Sequence, residues 1–565
     1  MKTPQEILSE RVRAAIAPLG VAPPEPVVVP SQDGRFGDYQ CNAAMGLAKA
    51  MKLNPRGVAT QIVSALKVEG ICDEPAIAGP GFINLRLQAD WIGARLDEMC
   101  HDERLGVRRV DEPETIVVDY SSPNVAKTMH VGHIRSTIIG DALARMLRFA
   151  GHHVITDNHL GDWGTAFGAL IVGYRKFADT SEFEKDPIAE LERIYRLATG
   201  DPALQDQIRA ELAKMQAGDE ENLRLWRLFM ETSRRAFETL YDRLDVHFDL
   251  WHGESFYNSL LSDTVASLVK AGIAQESEGA IVVFFGQDEP PAIIRKSDGA
   301  HLYMTTDLAA IRYRVQELHC DRFIILTDRR QQLHFKQLFE IACRWGYGEV
   351  GMAHVAFGSI LGESGTPFKT RGGDTIKLEA LLDEAEERAL LLARENERGA
   401  SLSEAQLLEI AREVGIGAVK YADLSQNPAS DYTFNWDKML AMTGNTGPYL
   451  QMAYARTQAI FRKGDVQPKS LVGPVQMGEE AERALGLVLL RFGEALEAAL
   501  IDYKPNRLTS WLYDVAVAFS IFFEKCPVLK ADEPIRTSRL TLCRLTADAL
   551  HLGLDLLGIH TLPQM

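Results

Sequence analysis

The stretch TIVVDYSSPNVAKTMHVGHIRSTIIGDALARMLRFAG, from Thr115 to Gly151, decides the fold. It opens on an apolar run that reads as a buried strand ending near Asp119, followed by a polar loop from Pro123 to Met129. From about Gly132 onward, Ile134, Ile138, Ala142 and Met146 recur at spacing four, beside a second stripe of Ile139, Leu143 and Leu147. Gly151 stands where such a helix should stop. Strand, loop and helix in this order are the opening unit of a doubly wound sheet. Ligands of such sheets bind beyond the carboxyl ends of the strands, where the first helical turn offers unsatisfied N–H groups to an anion.

Two histidines, His130 and His133, bracket Gly132 at the start of that helix. As metal ligands they would need a third partner, which only His152, His153 or His159 offers nearby, and a zinc pair is normally tied to cysteine or carboxylate at recognisable spacing. An isolated His-x-Gly-His is more often packed in a core. The strand before it, the helix after it and Lys127 beside it favour a third reading, in which both rings donate hydrogen bonds to phosphate oxygens. Lys127 adds a point charge, and Gly132 leaves the backbone open to a nucleotide. Donors set in advance stabilise a pentacoordinate transition state at phosphorus, because charge develops on the oxygens they face.

Outward from this stretch, short apolar runs alternate with helical periods as far as about Asp374. TIVVD, HHVITD, AIVVFFG, HLYMT, RFIILT and HVAFGSI are the strand candidates, and the alternation indicates an α/β, mostly parallel, Rossmann-type domain over residues 112–375. A charged helical stretch at about 181–249 interrupts it as an insertion. Residues 1–105 read as a small N-terminal α/β module, with PGFINLRL as a strand, and HDERLGVRRVDEPE as a linker after it. Residues 376–565 carry apolar stripes at spacing three and four and no strand signal, as in a helical bundle.

At 565 residues and 46% hydrophobic, the chain is too long for one domain. Asp and Glu outnumber Lys and Arg by 78 to 61, a formal charge of −17, so any nucleic-acid contact must use local basic patches. Seven scattered cysteines without a C-x-x-C pair argue for a reducing compartment and against a structural zinc site. The opening MKTPQEILSERVRAA resembles neither a secretory signal nor a transit peptide, and no apolar run is long enough to span a bilayer. A cytoplasmic, monomeric protein without membrane contact is expected.

SPNVAKTMHVGHIRSTIIGDALARMLRFAGHHVITDNHLGDWGTAFG resembles the adenylate-forming signature of class I aminoacyl-tRNA synthetases, in the form typical of arginyl-tRNA synthetases. GDYQCNAAMGLAK and GPGFINLRL are similar to that family's additional N-terminal domain, and NTGPYLQMAYAR through the final LPQM to its helical anticodon-binding domain. The resemblance implies ATP-dependent ligation of L-arginine to tRNA(Arg) through arginyl-adenylate, releasing AMP and pyrophosphate, with Mg²⁺ accompanying ATP. It also implies that activation of arginine requires tRNA, that the terminal 2′-hydroxyl is the acceptor, and that the N-terminal domain touches the tRNA elbow.

A pocket for arginine needs carboxylates, because an uncompensated buried cation is very unfavourable and a planar fork is matched best by a carboxylate. Asp119 ends the first strand. Tyr303 and Asp307, in LYMTTDLAA, are four apart at a strand-to-helix junction, although Asp307 serves equally well as a helix N-terminal cap. The resemblance assigns Asp119, Tyr303 and Asp307 to the arginine side chain, and Asn124 and Gln331 to holding the amino acid. The class I Lys-Met-Ser-Lys-Ser loop is missing: the matching segment reads PFKTRGGD. The family's expectation is that Lys127 takes over part of its charge, and Lys369 and Arg371 are further candidates for phosphate contact. Tyr449, Gln451, Tyr454 and Arg456 are candidates for stacking on, and hydrogen bonding to, unpaired anticodon bases. Three rivals remain: a synthetase for another amino acid, which should lack the paired carboxylates; a small-molecule nucleotidyltransferase, which has no use for the terminal domains; and a non-catalytic tRNA-binding paralogue, against which the intact His130, His133 and Lys127 speak.

Overall fold

The computed structural model describes the whole chain except residues 24, 287–288, 363–364, 367–375, 396–401 and 472. The chain forms two compact units. One comprises Met1–Arg109, Met442–Asp555 and His560–Met565; the other comprises Val110–Ala441 and Leu556–Ile559.

In the first unit, α1 (Pro4–Ile16) begins at a reciprocal cap between Thr3 and Glu6. Strands β1 (Val28–Pro30) and β2 (Tyr39–Cys41) precede helices α2 (Ala43–Met51) and α3 (Pro55–Ala65). Strands β3 (Ala76–Ala78) and β4 (Phe82–Leu85) complete an antiparallel sheet of order β1-β2-β4-β3, and α4 (Ala89–Cys100) follows. PGFINLRL thus supplies β4, as its pattern indicates; the other strands are too short to show a period.

The second unit opens with β5 (Thr115–Asp119), α5 (Val131–Ala150), β6 (His153–Asp157) and α6 (Thr165–Phe177). The charged insertion is helical, as its spacing predicts: α7 (Thr180–Lys185), α8 (Pro187–Gly200), α9 (Gln205–Gln216) and α10 (Glu220–Arg243). A 3₁₀ turn at Glu254–Leu260 leads to α11 (Leu261–Lys270) and to a separate antiparallel sheet of β7 (Gln275–Ser277), β8 (Ala280–Val283) and β9 (Ala292–Arg295). Then come α12 (Tyr303–Gln316), β10 (Arg322–Asp328), α13 (Gln332–Ala342) and β11 (Gly351–Phe357). A short parallel pair, β12 (Ile360–Leu361) with β13 (Tyr432–Thr433), encloses α14 (Leu378–Glu395) and α15 (Glu404–Leu424), and α16 (Trp436–Met439) ends the segment.

The main sheet is parallel, in the order β11-β10-β5-β6. The chain runs from β5 outward to β6 and then returns to the other side through β10, so the strand order reverses between β5 and β10 and opens a crevice at their carboxyl ends. Val117, Phe323 and Ile325 of this sheet pack in one core with Leu308 and Ile311 of α12 and Leu338 and Ile341 of α13. Two sequence expectations are corrected. AIVVFFG contributes β8 to the antiparallel sheet, not to the parallel one. HLYMT is no strand: His301 makes one isolated bridge to Arg295, and Tyr303 already begins α12, with the Thr305 and Thr306 N–H groups donating to the Leu302 carbonyl.

The remaining helices return to the first unit as a bundle: α17 (Gly447–Gly464), α18 (Glu480–Leu490), α19 (Phe492–Ile501), α20 (Asn506–Lys525) and α21 (Ile535–Asp555). Among the described residues no helix is long and apolar enough to cross a membrane.

Candidate active site

The loop from Tyr120 to His130 lies beyond the end of β5, at the crevice. Its two histidines cap α5 reciprocally. His130 Nδ1 accepts the Gly132 N–H at 3.1 Å, and His133 Nδ1 accepts the His130 N–H at 3.1 Å. With each Nδ1 serving as acceptor, each neutral ring carries its proton on Nε2, leaving one N–H donor apiece for a ligand. The rings stack with centroids 3.9 Å apart, so two charged imidazoliums would repel each other. Burial lowers the pKa of both, that of His133 to about 3, and keeps the rings neutral. The structure also gives Gly132 an immediate reason beyond approach of a nucleotide: a Cβ there would stand 2.8 Å from His130 Cε1. Among the described residues no three His, Cys, Asp or Glu side chains are grouped to hold a metal ion.

At the strand ends, Asp119 and Asp157 are register partners of β5 and β6. Arg314 of α12 reaches both, at 2.5 Å and 3.2 Å, and Ser122 Oγ donates to the other Asp119 oxygen at 3.2 Å. The carboxylate expected to meet a substrate guanidinium is therefore already paired with an internal one, a partner that the sequence pattern did not suggest. Asn124 is exposed and forms an isolated bridge with Gly161, where a Cβ would come within 2.6 Å of the Asn124 amide oxygen. Gly161 is needed for that close approach, and the glycine of HLGDWG reflects it.

Tyr303 is 71% exposed at the start of α12, and Asp307, one turn later, contacts His334 Nε2 at 2.5 Å. The α12 cap residue is Leu302, which makes no side-chain cap bond. Gln331 is exposed in the turn after β10. Sequence reasoning missed Glu254, in the 3₁₀ turn. Burial pushes its carboxyl up to about 7, His159 pulling it down and Asp162 and Asp307 pushing it further up. The charge of Glu254 in turn raises the Tyr303 phenol. A weak sequence signal existed in Gly253, where a Cβ would lie 2.4 Å from the Asp162 carboxyl carbon. These residues form one electrostatic neighbourhood: three carboxyls, a phenol and two imidazoles, able to accept a cation and orient it.

Lys127 is exposed. Lys369 and Arg371 lie outside the described residues. In the helical bundle, Tyr449 Oη lies 3.3 Å from Ser520 Oγ, with its ring 6.0 Å from Tyr513. Tyr454 is half-buried beside His551, and Arg456 is exposed over the Phe523 ring at 5.9 Å. Gln451 is a correction. It is fully buried, and its amide donates to the His560 carbonyl at 2.9 Å, so it anchors the chain end and presents nothing to a base. On α17 a step of two residues turns Gln451 away from Tyr449, and its side chain lies on the buried face. Exposed Phe523 on α20 is an aromatic that sequence spacing did not single out.

Comparison with known proteins agrees with this architecture. The family model described as tRNA synthetases class I (R), catalytic domain, matches residues 96–436. Models of the arginyl tRNA synthetase N terminal domain and of the DALR anticodon binding domain match residues 6–87 and 450–565. An arginine–tRNA ligase of Cellvibrio japonicus is 45% identical, over 99% of this chain and 100% of its own. The crystal structure of arginyl-tRNA synthetase from Plasmodium falciparum superposes with a TM-score of 0.86 at 29% identity, covering 100% of both chains. That of Thermus thermophilus gives 0.85 at 25% identity, over 99% of this chain and 100% of its own. With a histidine-capped crevice at the switch point of its sheet and full-length likeness to these proteins, the chain belongs to the arginyl-tRNA synthetase family.

Proposed function

We propose that the chain ligates L-arginine to tRNA(Arg) in two steps. An oxygen of the arginine carboxylate attacks the α-phosphorus of ATP, the bond to pyrophosphate breaks, and arginyl-adenylate forms. The 2′-hydroxyl of the terminal ribose then attacks the arginyl carbonyl carbon, its proton is released, and AMP leaves. The observation that carries this reading is the pair of neutral Nε2–H donors at the N-terminus of α5, beyond the strand ends where a ligand belongs. His130 and His133 donate to the phosphate oxygens on which charge develops. Lys127 neutralises phosphate charge, and Mg²⁺ enters with ATP, held largely by phosphates and water.

For the amino acid, Asp307 with Tyr303 receives the guanidinium, and Glu254 adds negative charge to the same neighbourhood. Asn124 and Gln331, both exposed at carboxyl ends of the sheet, hold the amino acid's main-chain groups. Asp119, paired with Arg314, contributes to the shape and charge of the pocket. Tyr449, Tyr454 and Arg456 face tRNA, with Phe523 as a further stacking surface, and the enzyme acts as a cytoplasmic monomer.

ATP–pyrophosphate exchange with each standard amino acid, with and without tRNA(Arg), tests the reading. Exchange with arginine alone, and only when that tRNA is present, is expected. Exchange with a different amino acid, or none under any condition, would overturn it.

A further inference from the structure

The loop that carries Lys127 does not hold its own shape. Ser121, Ser122 and Ala126 have φ of +71°, +49° and +58°, a region that L side chains occupy only when their surroundings impose it. On both sides of Lys127 the constraint comes from the inserted helices. The Ala126 N–H donates to Ser233 Oγ of α10 at 2.9 Å, and the Thr128 N–H donates to Glu192 Oε1 of α8 at 2.6 Å. Ser233 is fully buried and its own hydroxyl donates to the Phe229 carbonyl, so its oxygen is left to accept from the loop. One turn beyond Glu192 on the same helix, the Tyr195 ring centroid stands 5.6 Å from the Lys127 ammonium. Lys127 therefore has the amides of both neighbours fixed, and its otherwise exposed side chain is drawn to an aromatic face.

We propose that Glu192 and Tyr195, on the inserted helix α8, are positioning residues for Lys127. Glu192 sets the direction in which the lysine leaves the backbone, through a charge-assisted hydrogen bond. Tyr195 holds the ammonium at rest by a cation–π contact, the weak kind found at exposed sites, which the much larger charge of a polyphosphate overcomes on binding. A lysine with four rotatable bonds is thereby confined near its target before ATP arrives, which lowers the entropy lost when the contact forms. This inference rests on the reading that Lys127 neutralises phosphate charge.

The test is a set of double-mutant cycles in the full-length protein, with tRNA(Arg), read by ATP–pyrophosphate exchange at varied ATP and varied arginine. Glu192→Ala and Tyr195→Leu are each expected to lower kcat/KM for ATP about 3- to 10-fold while the KM for arginine stays within about twofold, a size suited to one weak contact or hydrogen bond. Tyr195→Phe, which keeps a ring face, and Glu192→Gln, which keeps an acceptor oxygen, are expected to recover most of the loss. In a Lys127→Ala background the Glu192 and Tyr195 substitutions should have almost no further effect. If Lys127→Ala impairs exchange but the α8 substitutions remain fully additive with it, the positioning role is wrong and the phosphate role of Lys127 stands. If Lys127→Ala leaves exchange unchanged, both fall. A circular-dichroism melt of each variant identifies misfolding; Tyr195→Leu, at a half-buried site, keeps the cycle readable if Glu192→Ala unfolds the loop.

Discussion

A histidine whose Nδ1 accepts a backbone N–H has a single N–H left to offer, and that defines what His130 and His133 can do. They are neutral donors held at one end by the helix they cap. His133 has its folded pKa depressed by burial to about 3, from an ordinary imidazole value of 6.5. In the unfolded chain the ring takes up a proton near 6.5, so the stability tied to this group is fully present above that pH and is lost as pH falls from about 6.5 toward 3. Replacing His133 with Asn is expected to flatten the pH dependence of denaturant midpoints in that window, and to cut pyrophosphate exchange by roughly 10²–10³-fold, as for loss of one oxyanion donor. The wild-type exchange profile should show no limb near 6.5 from either ring. For Asp307, bonded to His334, the substitution Asp307→Asn should raise the KM for arginine by roughly 10- to 100-fold, the size of a charge-assisted hydrogen bond, with ATP affected less than about twofold. Steady-state kinetics with each substrate varied in turn would show it; equal effects on both would remove Asp307 from the arginine pocket. At this scale the sequence supplied His130, His133, Lys127, Tyr303 and Asp307 as a set of candidates. Glu254 was illegible, because its raised pKa comes first from burial, and the groups that modulate it, His159, Asp162 and Asp307, are distant from it in the chain.

Elements follow local periodicity wherever one face is uniformly buried. β5 and β10, the central strands of the parallel sheet, read as continuous apolar runs because they are buried almost throughout, and α5 reads as a stripe with Gly151 at its left-handed stop. AIVVFFG has the same texture yet pairs antiparallel, since an apolar run records burial and says nothing about the direction of its neighbour. Within α5, Gly140 is tied to packing: a Cβ there would lie 2.2 Å from Cγ of the fully buried Tyr120 ring. The clash is with the stem of an enclosed side chain and cannot be relieved by a rotamer change. Gly140→Ala is therefore expected to destabilise the protein by ~1–3 kcal/mol, the usual range for overpacking, read as a lower denaturation midpoint with an unchanged denaturant slope.

Across the whole molecule, the first compact unit is built from both ends of the chain. Asp38, just before β2, forms an ion pair with Arg483 of α18 at 2.6 Å, and both side chains are at least nine-tenths buried. Arg491 donates to the Asp38 carbonyl, and Tyr39 Oη donates to Glu494 of α19. Removing the carboxylate alone, as in Asp38→Ala, leaves a buried guanidinium unpaired and is expected to cost about 3–5 kcal/mol, whereas replacing both partners with apolar residues of similar volume should restore much of the loss. Urea titration of the single and double variants distinguishes these outcomes. The sequence changes texture near residues 105 and 376, while the compact units divide near 109 and 441. Helices α14 and α15 have the spacing of bundle helices but pack in the second unit, where Asp423 pairs with Arg135 at 2.9 Å and Lys420 donates to the carbonyls of Leu244 and Gly558. By itself the sequence determined the α/β class, the helix after the first strand with two histidines around its first glycine, the helical insertion and the family resemblance, all of which rest on short-range spacing. Only the tertiary structure decided that Arg314 occupies Asp119, that Glu254 joins Tyr303 and Asp307, that Gln451 faces inward, and that the two chain ends share a unit. Each of those depends on charges or surfaces brought together from distant parts of the chain, and local periodicity carries no information about which buried faces meet.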